Sequence, residues 1–182
     1  MIRSIRIGVL LFCLLMTACN TRESVSHDLM LSIFDLPEGW NHDKGVDNPK
    51  VPGANARVDQ FHYSPHQDWL VISHEVAIYQ TADAAKAAYF EWESTWFPEV
   101  GEWRRPDEAT FVPSDSGDLY RLGCINFRNY RSCRLIQQHG RLLSLVLVNI
   151  DPPAITLQQF ETTMTRVDQR FQSFDVTVTG TP

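Results

Sequence analysis

The residues able to do chemistry are few and scattered along the chain. His62, His66 and His74 fall close together, and three imidazoles would suit a metal. His62 and His66 are four apart, a helical spacing, but Pro65 between them denies the two a common face. His62 and His74 meet only if two strands pair, and a histidine on an apolar strand face, as His74 would be, is ordinarily a core imidazole with a hydrogen-bond partner. No metal site is expected. Glu91, Glu93 and Glu102 follow one another without a spacing that makes an acid–base pair, and a solvated face accounts for them. The sequence has no G-x-S-x-G elbow, no H-E-x-x-H, no phosphate-cradling glycine loop and no S-x-x-K. The expectation is therefore no catalytic residue and no cofactor, with a cell-envelope hydrolase as the remote alternative. Of the tryptophans at 40, 69, 92, 96 and 103, Trp40 and Trp103 sit in stretches rich in Gly and Pro. Flat aromatics in such loops can line a glycan or small-ligand groove, so these two are the candidate ligand surface; ordinary packing is the competing reading.

One cysteine is placed by what precedes it. Arg3 and Arg6 lead an apolar run from Ile7 to Met16, followed by Thr17, Ala18 and Cys19. A positive start, a short apolar middle and small residues at the end have the pattern of a secretory signal. A membrane span needs about 20 apolar residues, and this run is about half as long before Asn20, Arg22 and Glu23 turn the chain polar. Met16-Thr17-Ala18-Cys19 resembles the lipobox of bacterial lipoproteins, in which an aliphatic residue and two small ones precede an invariant cysteine; Met16 stands where leucine is usual. The resemblance implies a lipid thioether on Cys19, removal of residues 1–18 and acylation of the new amino terminus. It also implies a membrane partner reached through the lipid, since two or three acyl chains anchor where one does so only marginally. An ordinary secretory cleavage after Ala18 is the alternative. Asn20 is not the Asp that resembles an inner-membrane retention signal, so the expected home is the cell envelope, at the outer membrane if the organism has one.

Cys13 leaves with the signal and Cys19 takes the lipid, which leaves Cys124 and Cys133 as the remaining pair. In an oxidising compartment an even remainder favours a disulfide, here spanning CINFRNYRSC.

Removing 18 of the 182 residues leaves 164, which fits one domain, and takes the formal charge from −6 to −8 by deleting two arginines. Lysine occurs only at 44, 50 and 86, so nucleic acid is not an expected partner. The expected organisation is a signal at 1–18, a lipidated polar tether at 19–28, one domain at 29–176 and a tail at 177–182.

Several elements would position these residues. Residues 41–55 read as a surface loop, with Gly45, Pro49, Pro52 and Gly53 among alternating charges. Strands are predicted at Arg57–Tyr63 and Trp69–Tyr79, the second alternating with Leu70, Ile72, His74, Val76 and Ile78 on one face. A helix begins at Thr81 as N-cap and ends near Pro98, with Ala85, Ala88, Tyr89, Trp92 and Trp96 on its packing face. Ala109–Val112 reads as a short strand. Leu119–Asn126, Ser132–Gln138 and the apolar run Leu142–Val148 read as a meander, with a tight turn at His139-Gly140 and the cysteines as a cross-strand rung. Thr156 and Gln159 form a capping box for a last helix, whose stripe is Leu157, Phe160, Met164, Val167, Phe171 and Phe174, flanked by Glu161 and Arg170.

Strands, helix, meander, helix is an α+β order, an antiparallel sheet with two main helices packed on it. This order, with the D-L-P-x-G-W stretch at Asp35–Trp40 and the Ala-rich helix, is similar to the sandwich of the photosystem extrinsic protein PsbP and of several small bacterial lipoproteins; the resemblance carries over no catalytic residue. The function expected is that of a binding or assembly module at a membrane surface, its envelope protein or glycan partner unidentified, with a small-ligand or glycan-binding domain as the alternative.

Overall fold

The computed structural model describes residues 25–43, 45–47, 54–63, 70–99, 102–115 and 119–178. The lipobox, His66 and Trp69 lie outside them. Among the described residues, seven strands form one antiparallel sheet: β1 (Trp40–His42), β2 (Val46–Asp47), β3 (Asn55–Tyr63), β4 (Val71–Ile78), β5 (Leu119–Asn126), β6 (Arg131–His139) and β7 (Leu142–Ile150). The order is β1-β3-β4-β7-β6-β5, with β2 also on the outer edge of β3. The α+β reading and the meander hold. Of the predicted 41–55 loop, residues 44 and 48–53 lie outside the described residues; the described part contributes β2 and most of β1, which cover the edge of β3 that would otherwise expose unpaired backbone groups.

Two helices cover opposite faces. Helix α1 (Ala82–Trp96) starts where Thr81 accepts a hydrogen bond from the Ala84 amide, and it buries Ala85 and Tyr89 against Ala77, Ile136, Leu143 and Leu145. Helix α2 (Leu157–Val178) starts at the expected box: the Gln159 amide donates to Thr156 Oγ1 and the Thr156 amide to Gln159 Oε1. It extends into the predicted tail. Phe160, Met164, Val167 and Phe171 bury against Ile72, Val76, Leu135, Val146 and Val148. Both faces of β7 are covered, as its continuous apolar run requires. Gly140 turns the β6–β7 hairpin at φ 50°.

Helix α2 does more than cover the sheet, because its stripe has two polar flanks. At about 100° per residue, Glu161 and Asp168 project to one side of the stripe and Thr163, Arg166 and Arg170 to the other. On the first side, Glu161 accepts from the Thr110 amide and hydroxyl at 2.8 Å each and from the Phe111 amide at 3.0 Å. Asp168 accepts from the Ser114 amide at 2.9 Å and from Gln137 Nε2 at 2.6 Å. The segment around Ala109–Val112 is thus not a strand. The Thr110 and Phe111 amides find a helix carboxylate and the Ala109 amide the Pro106 carbonyl, which satisfies them without a sheet ladder. The second flank makes the site described below.

Cys124 and Cys133 face each other directly in the β5–β6 register and form a disulfide buried on the α2 side of the sheet. Closing a loop of this length restricts the unfolded chain by roughly 2.5 to 3 kcal/mol. A double Cys124→Ala, Cys133→Ala variant should therefore lose about that much unfolding free energy in urea titrations at pH 7, with the sheet spectrum retained.

Candidate functional site

The chain from Val25 to Leu36 has little regular structure of its own, and it crosses the α2 side of the sheet as two short 3-10 turns, His27–Leu29 and Ile33–Asp35. Val25, Leu29, Met30 and Leu31 are buried in the core, which holds the segment down. Side chains then meet its backbone polar groups. Arg170 donates through Nη1 to the Met30 carbonyl at 2.8 Å and through Nη2 to both Asp35 carboxylate oxygens at 2.7 Å. Thr163 donates to the Asp35 carbonyl at 2.9 Å, and Asp35 in turn accepts from the Ser32 amide, closing a capping box. A hydrogen-bonded, part-buried guanidinium–carboxylate pair of this kind contributes more than an exposed ion pair, because water competes less.

From the sheet side, His74 completes the clamp. Its Nδ1 accepts from the Leu31 amide at 2.9 Å, so Nε2 carries the proton and donates to Ser144 Oγ at 3.0 Å. The imidazole is fully buried, and desolvation pulls its pKa from 6.5 to about 3; the Arg170 charge adds to the fall and Asp35 opposes it. His74 is neutral at every physiological pH. Both nitrogens are engaged, so it is a core imidazole, as the strand pattern implied.

Between this pinned segment and the β1–β3 edge lies a cleft of about 510 Å³. Met30, Leu31, Ile33 and Phe61 give it an apolar lining, and Asp28, His42, Asp59 and Arg170 give it polar points. The His42 ring lies tilted on Phe61, centroids 4.8 Å apart, with Nε2 3.8 Å from Asp59 Oδ2. Asp59 is buried and accepts from Arg57 Nε at 3.1 Å. Gly45 lies against this pair so closely that a Cβ there would stand 1.8 Å from Asp59 Oδ1, so only glycine fits. The acids and bases nearest the floor are thus matched in pairs, Asp59 with Arg57 and Asp35 with Arg170. Such a surface can hold a ligand by contact at Ile33 and hydrogen bonding at His42.

The sequence-predicted positions do not gather at this cleft. His62 pairs with Asp43 at 3.1 Å. Trp40, expected in a ligand groove, is instead only 6% exposed: its Nε1 donates to the Ala154 carbonyl at 3.2 Å and its ring meets Tyr63 edge-on. The strand it begins carries it inward. Trp103 packs against the cluster on the other face of the sheet, edge-on to Phe97, with Arg134 4.0 Å over its ring. The two tryptophans therefore share no groove. Arg134 also donates to the Trp96 carbonyl, a cation at the C-terminal end of α1 where the helix dipole favours one. Cys124 and Cys133 are joined, as expected, and lie apart from the cleft residues in sequence and strand order. His42, Asp59 and Phe61, which sequence reasoning left out of any site, carried one signal: alternate residues of β3 share a face, and Asp59 there is a buried charge on an apolar side.

No protein-family model matches the chain, and no curated protein matches it by sequence. Among solved structures it is similar to the extracellular domain of PknH from Mycobacterium tuberculosis, with a TM-score of 0.56 and 11% identity over 83% of this chain and 99% of that one. At that identity the likeness shows a shared fold.

Above pH 6.5 the folded and unfolded chains both hold His74 neutral; below it the unfolded chain binds a proton that the folded one cannot. Stability should fall as pH falls from 6.5 towards 3. Between pH 7.5 and 5.0 this one group should cost about 2 kcal/mol. Urea unfolding at the two values should show that difference against His74→Asn, which is less stable at neutral pH but lacks the extra slope.

Proposed function

We propose that this chain is a lipid-anchored, extracytoplasmic binding module whose ligand enters the cleft between the 25–36 segment and the β1–β3 edge. The cleft carries the reading: buried Met30 and Phe61 back it, and the part-exposed Ile33 and the exposed His42 border it beside acid–base pairs already satisfied within the protein. Matched charges around a concave surface that offers Ile33 and the His42 ring suit recognition of a compact ligand with a hydrogen-bonding group. Lipid anchoring is supported by Met16-Thr17-Ala18-Cys19, and an extracytoplasmic setting by the Cys124–Cys133 disulfide and by a fold shared with an extracellular domain. No helix among the described residues is long and apolar enough to cross a membrane.

Two measurements test the two halves. Intact mass of membrane-fraction protein should give a chain beginning at residue 19 and carrying acyl mass that Cys19→Ala lacks; an unmodified Cys19 contradicts the anchor. Amide correlation spectra recorded with a panel of small amphipathic compounds should shift Met30–Ile33, His42 and Phe61 together. His42→Ala, at an exposed cleft residue, should abolish those shifts while the β6–β7 amides keep their positions. Shifts confined to other surfaces contradict the cleft.

A further inference from the structure

The turn at Ile33–Asp35 carries an aromatic side chain aimed at nothing in the protein: Phe34 is 91% exposed. Exposing a phenyl ring forfeits its burial free energy, and here the ring is held out by a built turn. Ser32 caps that turn with its hydroxyl, Asp35 closes the box, and Arg170 and Thr163 of α2 fix Asp35 from behind. The same Arg170 guanidinium grips the Met30 carbonyl, so the turn bearing Phe34 is fastened to the segment through which the chain enters the domain. Ile33 and Leu36 flank Phe34 and are only partly buried, and Arg166, half exposed, stands 3.9 Å from Asp35.

The position of the anchor says what covers this surface. In the lipoprotein reading, on which this inference rests, Cys19 sits in the bilayer and Val25 is six residues further on. Even fully extended, six residues reach about 20 Å, so the start of the domain cannot leave the membrane surface. We infer that Phe34 is a membrane-contact residue, which enters the interfacial layer of the bilayer holding the chain's own lipid, with Ile33 and Leu36 beside it and Arg166 at the headgroups. An apolar ring in the interface and a cation among headgroup phosphates are the two contributions that hold peripheral surfaces to membranes. A second point of contact fixes which side of the domain faces the lipid, and it sets the 25–36 cleft wall next to the bilayer.

The test uses the full lipidated chain in vesicles of phosphatidylethanolamine and phosphatidylglycerol. A nitroxide is placed at Phe34→Cys and, in a separate sample, at Phe90→Cys, an exposed site on α1 across the sheet. Power saturation with oxygen and with a water-soluble nickel complex reads depth, and intact mass reads the lipid on the same samples. The expected result is a label at 34 that meets oxygen severalfold more often than nickel, against the reverse at 90. A lipidated chain whose label at 34 is as open to nickel as the label at 90 overturns the contact surface alone. A chain without lipid overturns the anchor and this surface together. Phe34→Ser in the lipidated chain should fold unchanged and free a label at Ile33 to nickel; no change there also overturns the proposal.

Discussion

The structure depends on one constraint, that irregular backbone placed over a sheet must find hydrogen-bond partners that regular structure does not supply. Residues 25–36 and 105–115 both cross the α2 side, and neither contributes a strand of its own to the sheet; Arg104, just before the second, bridges to Cys124 of β5. The last helix supplies most of the solution. Its apolar stripe fixes it to the sheet, and the two flanks of that stripe then offer carboxylates to one segment and a guanidinium and hydroxyl to the other. A single helix rotation thus sets the positions of three layers at once.

The cleft follows from that arrangement. Were the 25–36 segment paired as a strand, its backbone would be consumed by a ladder along the sheet edge. Pinned by Arg170 above and His74 below, it stands as a wall facing His42, Asp59 and Phe61. The pin also explains a buried histidine in the middle of a sheet. An aliphatic residue at 74 would pack, but it would leave the Leu31 amide without its acceptor, and a buried unsatisfied donor costs about 1–3 kcal/mol.

Much of this architecture was legible in the sequence because it is written in local patterns. The alternation from Leu70 to Ile78, the Thr156–Gln159 box and the α2 stripe each follow from a period or a cap and need no knowledge of distant residues. Glu161 and Arg170 were recognisable as flanking the stripe, though not what they hold, since their partners lie about fifty and 140 residues away. The cleft was not legible for the same reason: His42, Asp59 and Met30 converge through strand pairing and a helix clamp, with no common spacing. Trp40 misled because Gly and Pro before it suggested a loop, whereas β1 begins at the tryptophan itself and pairs it with Tyr63. Ala109–Val112 misled in the opposite way, as extended backbone whose partners are side chains.

The central claim is that α2 holds the cleft wall in place through Arg170. Amide hydrogen exchange, followed residue by residue in the wild type and in Arg170→Met, tests it directly. The account predicts a large loss of protection confined to residues 30–36, with β4, β7 and the Glu161-bound amides of Thr110 and Phe111 exchanging as before. Unchanged protection across 30–36, or a loss spread evenly over the whole sheet, would contradict it.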